Sequence, residues 1–341
     1  MKGKKITVSE IAKKANVSPA TVSRVLHHRE QVKESTIEHV EDAMISMGYS
    51  FDVSQVANPV NRPIIVINIP SFQNTFYQEI FKGAQSSAKA HGYEILIYDS
   101  PIDSTSIRDF RLLLQQVNAA GTLLLNPVKE DALYQIHNQL PMIQCCEYNA
   151  NVDFPFVSVD DFLAAEIATE HLISCGRGKI ALINGPSAYK YAVERQRGFL
   201  SALSKADISI LNNWILHLPE INFEMAYTST CRLLNAEIRP NAFFAVSDVY
   251  AAAAIKSANH FGFKVPQDIM VVGFDNIDLS QMTTPSITTM SQPRFQQGYS
   301  ACELLIESIE HPNAIQRPLI LNAELIVRES TSLSYRGGIL K

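Results

Sequence analysis

Cysteine is scarce in this chain and carries no pattern. Cys145, Cys146, Cys175, Cys231 and Cys302 are odd in number, scattered, and form no C-x-x-C. Such spacing speaks against a disulfide framework or a metal centre and in favour of free, buried thiols. Long apolar runs are missing as well: no stretch approaches the roughly 20 residues of a membrane-spanning helix. The basic first residues lead into Ile6–Val17, where Glu, Lys and Asn interrupt any signal-peptide core. The expectation is a cytoplasmic protein with no membrane partner. Catalytic signatures are also lacking, with no G-x-S-x-G, no P-loop, no G-x-G-x-x-G after a strand and no H-E-x-x-H among the nine histidines. Glu170-His171 falls inside a helical pattern, and Cys145-Cys146 follows a strand pattern without an activating neighbour. An enzyme is therefore a poor second reading, and no cofactor or metal is expected.

What is present begins with two short apolar stripes near the start. Val8, Ile11, Ala12 and Ala15 form one at helical spacing, and Val22, Val25 and Leu26 form the other. Between them, Asn16 tolerates the left-handed conformation that ends a helix. Ser18 is a good N-cap, and Pro19 suits a first helical position. Two helices joined by a tight turn follow, a helix-turn-helix, whose second helix presents Ala20, Thr21, Ser23, Arg24 and His27 outward. Small hydroxyls suit phosphate oxygens, and an Arg can fork onto O6 and N7 of guanine in a major groove. Charge agrees: residues 1–29 hold seven Lys or Arg against Glu10 alone, leaving 22 basic and 33 acidic residues in the rest of the chain. A third helical pattern over Glu34–Met47, with Ile37, Val40, Met44 and Ile45 apolar and Gly48 as its stop, closes a miniature core.

The run Ile6–Ala12, then Val17-Ser18-Pro19-Ala20-Thr21-Val22-Ser23-Arg24-Val25-Leu26, then Val32-Lys33 and Gly48-Tyr49, resembles the amino-terminal domain of the LacI/GalR family of bacterial transcription regulators. Ser50–Pro63 is polar and closed by Pro59 and Pro63, which reads as a linker. The resemblance implies a hinge helix here that wedges a Leu into the minor groove. In this chain that position falls on Asn58, and the Arg usual two residues earlier is Val56. Looser tethering and more tolerance of half-site spacing are expected.

At 341 residues, 46% hydrophobic and 18% charged, the chain has length and apolar content for several domains. From Ile64 onward, apolar runs of four to six residues alternate with amphipathic helices, the pattern of a parallel sheet covered on both faces. A first series runs to Cys146. A second starts at Val157, with strands expected at Ile180–Ile183, Trp214–Leu218, Phe243–Val246 and Met270–Phe274. A helix over Phe295–Glu310 and strand-like runs at Leu319–Leu321 and Leu325–Val327 resemble the crossing segments of periplasmic-binding-protein-like folds. The fold class expected is α/β: a three-helix head followed by a two-lobed doubly wound domain. The divisions expected are a head at 1–50, a linker at 51–62, an effector and dimerisation domain at 63–332, and a tail at 333–341. Lobe 1 takes about 63–159 and 292–321, and lobe 2 about 160–291 and 322–332.

Ligands of open α/β sheets bind beyond the carboxyl ends of the strands. Those ends carry Pro70–Tyr77 with three aromatics, Asn184-Gly185-Pro186 and then Arg195, Asn222-Phe223, Ser247-Asp248, and Asp275-Asn276. The resemblance implies roles for several. Arg195, before x-x-G-F, would hold effector oxygens, and Asp275 in Gly-Phe-Asp would accept hydrogen bonds from the effector. Phe223, Ser247 and Asp248 would be wall positions, and Phe76 and Tyr77 an aromatic pair that stacks on the effector. On the DNA side, Arg24, Pro19 and Ala20 would read base edges, His27 would lie alongside them, and Thr7, Ser18, Thr21 and Ser23 would hold phosphates.

Aromatic faces with one Arg and one Asp suit a planar base or a sugar ring about equally. The stretch from Lys264 to Gln281, and Ser291-Gln292-Pro293-Arg294-Phe295 after it, resembles the nucleoside-responsive branch of the family. The function expected is a homodimeric repressor of a pseudo-palindromic double-stranded operator, controlled by a small-molecule effector, either a nucleoside or a sugar. A regulator dependent on a corepressor protein, and an α/β enzyme with a DNA-binding head, are the other classes.

Overall fold

The computed structural model describes residues 7–27, 32–47, 62–314 and 317–332. The chain divides into two compact units at Arg62/Pro63.

The first unit holds α1 (Val8–Lys14), α2 (Pro19–His27) and α3 (Glu34–Ser46). Thr7 starts α1 with a capping box: its backbone N–H donates to the Glu10 carboxylate at 2.8 Å, and its hydroxyl oxygen accepts from the Glu10 N–H. The exit is a Schellman turn, with Asn16 at φ 53° and the Val17 N–H bonded to the Ala12 carbonyl at 3.0 Å. Ser18 then caps α2, its Oγ accepting the Thr21 N–H at 3.0 Å. Ile11, Ala12, Ala15, Val22, Val25, Ile37, Val40, Ala43 and Met44 form the core, with Leu26 packed on it. Val8, expected in the first stripe, is exposed: as the first residue of α1 it has no preceding turn beneath it to cover. The expectations for Ile45, Gly48 and the linker at 51–61 lie outside the described residues.

In the second unit two six-stranded sheets follow one another. β1 (Ile64–Ile69), α4 (Phe76–Ala90), β2 (Glu94–Asp99), α5 (Ile107–Gln116), β3 (Ala119–Leu124), α6 (Glu130–His137), β4 (Met142–Cys145) and β5 (Phe156–Val159) come first. Then come α7 (Asp161–Ser174), β6 (Ile180–Asn184), α8 (Lys190–Lys205), β7 (Ile215–His217), α9 (Phe223–Leu234), β8 (Ala242–Ala245) and α10 (Asp248–His260). β9 (Met270–Phe274), α11 (Leu279–Met282) and β10 (Thr288–Ser291) complete the series. The chain closes through α12 (Arg294–Glu310), β11 (Leu319–Leu321) and β12 (Glu324–Ile326). The strand orders are β11-β5-β4-β3-β1-β2 and β12-β10-β9-β8-β6-β7, parallel except for β12 against β10. The chain thus passes between the sheets after β5, after β10 and after β11.

The strands read as continuous apolar runs because both faces are covered. In β1, Ile65, Ile67 and Ile69 face α4 and α12 in one core, while Val66 joins Phe110 of α5 and Leu133 of α6 in another. The second sheet packs α7 and α8 on one side and α9 and α10 on the other. The expected strand at Trp214–Leu218 is shorter. Trp214 ends a single 3₁₀ turn, Asn212–Trp214, and the ladder with β6 starts only at Ile215, because β7 is an edge strand paired on one side. The Thr-rich β10 escaped the apolar-run criterion. Its Thr288 and Thr289 are buried, and their hydroxyls bond to Thr331 and Asp248.

Candidate functional site

The carboxyl ends of the two sheets enclose a cleft of about 830 Å³. Its centre is Arg195, one turn into α8 and 4% exposed. Burial of a guanidinium requires partners from the protein, and Arg195 has three. Nε donates to Asp161 Oδ1 at 2.8 Å, Nη1 to the Val246 carbonyl at 2.7 Å, and Asp275 Oδ1 lies 3.7 Å from Nη1. The ring of Phe274 lies under the guanidinium, 3.5 Å from its carbon, and Tyr191 flanks it at 4.9 Å.

Asp275 and Asn276 both adopt left-handed backbone, at φ 99° and 52°. Such conformations in non-glycine residues cost on the order of 1–3 kcal/mol each and persist where the surroundings over-determine them. Here Gln292 Nε2 donates to Asp275 Oδ1 at 2.7 Å, and Arg328 Nη2 donates to Asn276 Oδ1 at 2.7 Å. The effect is to turn the Asp275 carboxylate into the cleft, where burial raises its pKa against the pull of Arg195.

Opposite lies a segment from the first sheet. Cys146 turns the chain at φ 67°, and Glu147 reaches across to α8, accepting from the Lys190 N–H at 2.6 Å and the Tyr191 N–H at 3.2 Å. These are orphan donors of a helix whose own N-cap, Tyr189, provides no side-chain bond. Burial pushes the Glu147 carboxyl up to about 7 despite nearby Lys190. Lys190 Nζ bonds Asp161 and, at 2.9 Å, Ser158 Oγ. Burial alone would raise Asp161, but Lys190 and Arg195 hold its carboxyl below the usual range.

Phe76 and Tyr77 meet edge to face, with centroids 5.1 Å apart, on the cleft wall at the start of α4. Phe223 and Ser247 line the cleft at the starts of α9 and α10, Ser247 also capping α10 through the Tyr250 N–H at 3.2 Å. Asp248 stands elsewhere, contrary to its expected place in the wall. It is fully buried behind the cleft, accepting from the Thr289 hydroxyl at 2.6 Å and the Ile277 N–H at 2.8 Å. At the first turn of α10 its side chain points back under β9, so its neighbours Ser247 and Val249, and not Asp248, line the cavity.

The strand-end rule missed Asp161, Lys190, Tyr191, Glu147 and Gln292. Two of these follow β5 and β10, whose short or hydroxyl-rich sequences did not stand out as strands. Lys190 and Tyr191 open α8 three residues earlier than its apolar periodicity suggests.

In the head, Pro19, Ala20, Ser23 and Arg24 are exposed on one side of α2, and Thr21 is half-buried. The Ser18 hydroxyl is occupied by its cap and lies 2.8 Å from Thr21 Oγ1, and Thr7 is likewise engaged in its box. The side chain of His27 lies outside the described residues.

Residues 7–51 match the model for bacterial regulatory proteins of the lacI family, and residues 169–331 the model for a periplasmic binding protein-like domain. The HTH-type transcriptional repressor CytR of Escherichia coli K12 is 33% identical over 97% of this chain and 99% of its own. The chain belongs to the lacI family. The NTD biosynthesis operon regulator NtdR of Bacillus subtilis is 30% identical over 95% of this chain and 99% of its own length. The solved structure of the transcriptional regulator CelR in complex with cellobiose covers 96% of this chain and 100% of its own, at 25% identity and a TM-score of 0.72. This lacI-family chain is accordingly a DNA-binding transcriptional repressor controlled by a small-molecule effector. No described helix is long and apolar enough to cross a membrane.

Proposed function

We propose that the cleft binds a nucleoside and that its occupancy controls the affinity of a homodimer for a pseudo-palindromic operator. The observation that carries the ligand reading is the pairing of flat apolar faces with an aimed acceptor. Phe76, Tyr77, Tyr191 and Phe223 line the same cavity as the strained, oriented Asp275 carboxylate. A planar base fits between rings, and its ribose hydroxyls or exocyclic amine supply donors for Asp275. In this reading Arg195 positions Asp275 and presents its remaining N–H groups to effector oxygens. A sugar is the second reading, favoured by the likeness to the cellobiose-bound regulator and to a ribose operon repressor of Halalkalibacterium halodurans, 31% identical over 95% of this chain and 97% of its own.

In the head, Pro19, Ala20 and Arg24 contact base edges, with His27 beside them, while Thr7, Ser18, Thr21 and Ser23 contact phosphates. One such head covers a half-site, so two are needed for a pseudo-palindrome. The division of labour is residues 1–50 for DNA, 51–62 as linker and 63–332 for effector and dimer contacts. Effector and operator are then coupled by about 1–3 kcal/mol. The test is a pair of variants. Arg24→Ala loses operator discrimination and keeps effector binding, and Asp275→Ala does the reverse. Unchanged operator discrimination in Arg24→Ala would remove the recognition-helix assignment. A thermal-shift panel of nucleosides, bases and sugars then separates the two ligand readings.

A further inference from the structure

The cleft is rich in charge, and the two signs are used differently. Six carboxylates line it: Glu79, Glu147, Asp161, Glu220, Asp275 and Asp278. Among the described residues the lining cations are three, and each is already engaged. Lys82 pairs with Glu79 at 2.5 Å, Arg195 is held by Asp161, Asp275 and the Val246 carbonyl, and Arg294 Nη2 donates to the Asn276 carbonyl at 3.0 Å. Lys190, just behind the wall, is held by Asp161 and Ser158.

Helix N-termini are the other common source of anion binding at such a cleft, and four of these carry a side-chain partner. Asn74 Oδ1 takes the Phe76 N–H of α4 at 3.0 Å, and Glu147 takes the first two N–H groups of α8. Asn222 Oδ1 takes the Met225 N–H of α9 at 3.1 Å, and Ser247 Oγ the Tyr250 N–H of α10 at 3.2 Å. Each of these three cations and four helix starts thus already has a partner supplied by the protein itself. A charged anion would compete with those partners while facing six carboxylates against three cations. Protonation of Glu147, whose pKa is near 7, removes one negative charge but adds no positive one.

We propose that this cavity accepts an uncharged or cationic ligand and rejects the phosphorylated counterpart of whatever it binds. The inference rests on the reading of the cleft as the effector site, and it is independent of whether the effector is a nucleoside or a sugar.

The experiment is calorimetric titration of the full-length protein with matched pairs: cytidine and cytidine monophosphate, adenosine and adenosine monophosphate, ribose and ribose 5-phosphate, glucose and glucose 6-phosphate. For the pair that binds, the phosphorylated member is expected to bind at least about 100-fold more weakly, since like-charge juxtaposition in a binding site opposes association strongly. The gap should narrow as salt rises and in Glu220→Gln/Asp278→Asn, which removes two of the repelling charges. A phosphorylated member that binds as tightly as its partner overturns the proposal. So does a gap insensitive to both salt and that double variant, which would be steric, and so does failure of every uncharged compound to bind at millimolar concentration. Binding of ribose or glucose without any nucleoside would sink the nucleoside reading and leave the charge rule standing; equal binding of cytidine and its monophosphate would do the opposite.

Discussion

Asp248 and Glu147 are carboxyls held where water cannot solvate them, and both titrate far from their ordinary range. Burial, followed by the neighbouring Asp275, raises Asp248 from 3.8 to about 8, and burial raises Glu147 from 4.5 to about 7. A carboxyl whose folded pKa is raised binds more protons folded than unfolded. Its contribution is fully favourable below the unfolded pKa and is lost as pH rises through the folded one. Stability should therefore fall between about pH 4.5 and 7 on account of Glu147, by on the order of 3 kcal/mol, and continue to fall to about pH 8 on account of Asp248. In Asp248→Asn the amide oxygen can still accept the Ile277 N–H while its NH₂ donates to Thr289. Urea-unfolding free energies of that variant should be flatter from pH 5 to 8 than those of the parent protein. Parallel profiles would show that Asp248 is not the titrating group. Glu147→Gln should likewise lose its share of the slope below pH 7, measured in the same way, while keeping one acceptor for the α8 N-terminus.

Among the elements, α4 and α12 make the closest packing. A Cβ placed on Gly298 would lie 1.8 Å from the Ile80 carbonyl oxygen, and one on Gly83 would lie 2.0 Å from that of Phe295. The two backbones touch through reciprocal glycines, so neither contact can relax by rotating a side chain. Overpacking typically costs about 1–3 kcal/mol and more where only backbone can yield. Gly298→Ala should therefore lower stability by roughly 3 kcal/mol or more, read as a drop in the denaturant midpoint; an unchanged midpoint would mean that the helices can separate freely. In the head the sensitive element is the turn. Removing the Ser18 cap in Ser18→Ala should destabilise the three-helix core by about 1 kcal/mol, visible as an earlier loss of its helical signal. These caps were legible from residue type alone, because Thr7, Asn16 and Ser18 act on backbone groups within three residues of themselves. The start of α8 was not. Glu147 caps α8 from 43 residues away, and no local pattern records such a partner.

At the scale of the molecule, the single tryptophan provides a selective reporter. Trp214 is buried in the core of the second sheet, so its fluorescence follows the unit from Pro63 onward and not the head. A ligand that binds only the folded cleft at 100 times its Kd should stabilise that unit by about 2.7 kcal/mol. The Trp214 transition should move to higher temperature with ligand. A ligand-induced shift in head helicity with no change in tryptophan fluorescence would place the binding site outside the cleft.

Amino-acid order alone determined the helix-turn-helix, the alternation that builds two parallel sheets, and the strand ends from which Phe76, Tyr77, Phe223, Ser247 and Asp275 reach the cleft. These follow from local rules: helical periodicity, capping chemistry, and the need of a doubly covered strand to be apolar throughout. Tertiary structure alone decided that Asp248 turns away from the cavity and that Glu147 crosses to a helix of the second sheet. It also decided that Asp161, shared with Lys190, holds Arg195 in place, and that each lining cation has a partner from the protein. Those facts depend on which chain segments meet across the gap between two sheets, where burial sets the strength of each charge and only proximity in space, not in sequence, chooses its partner.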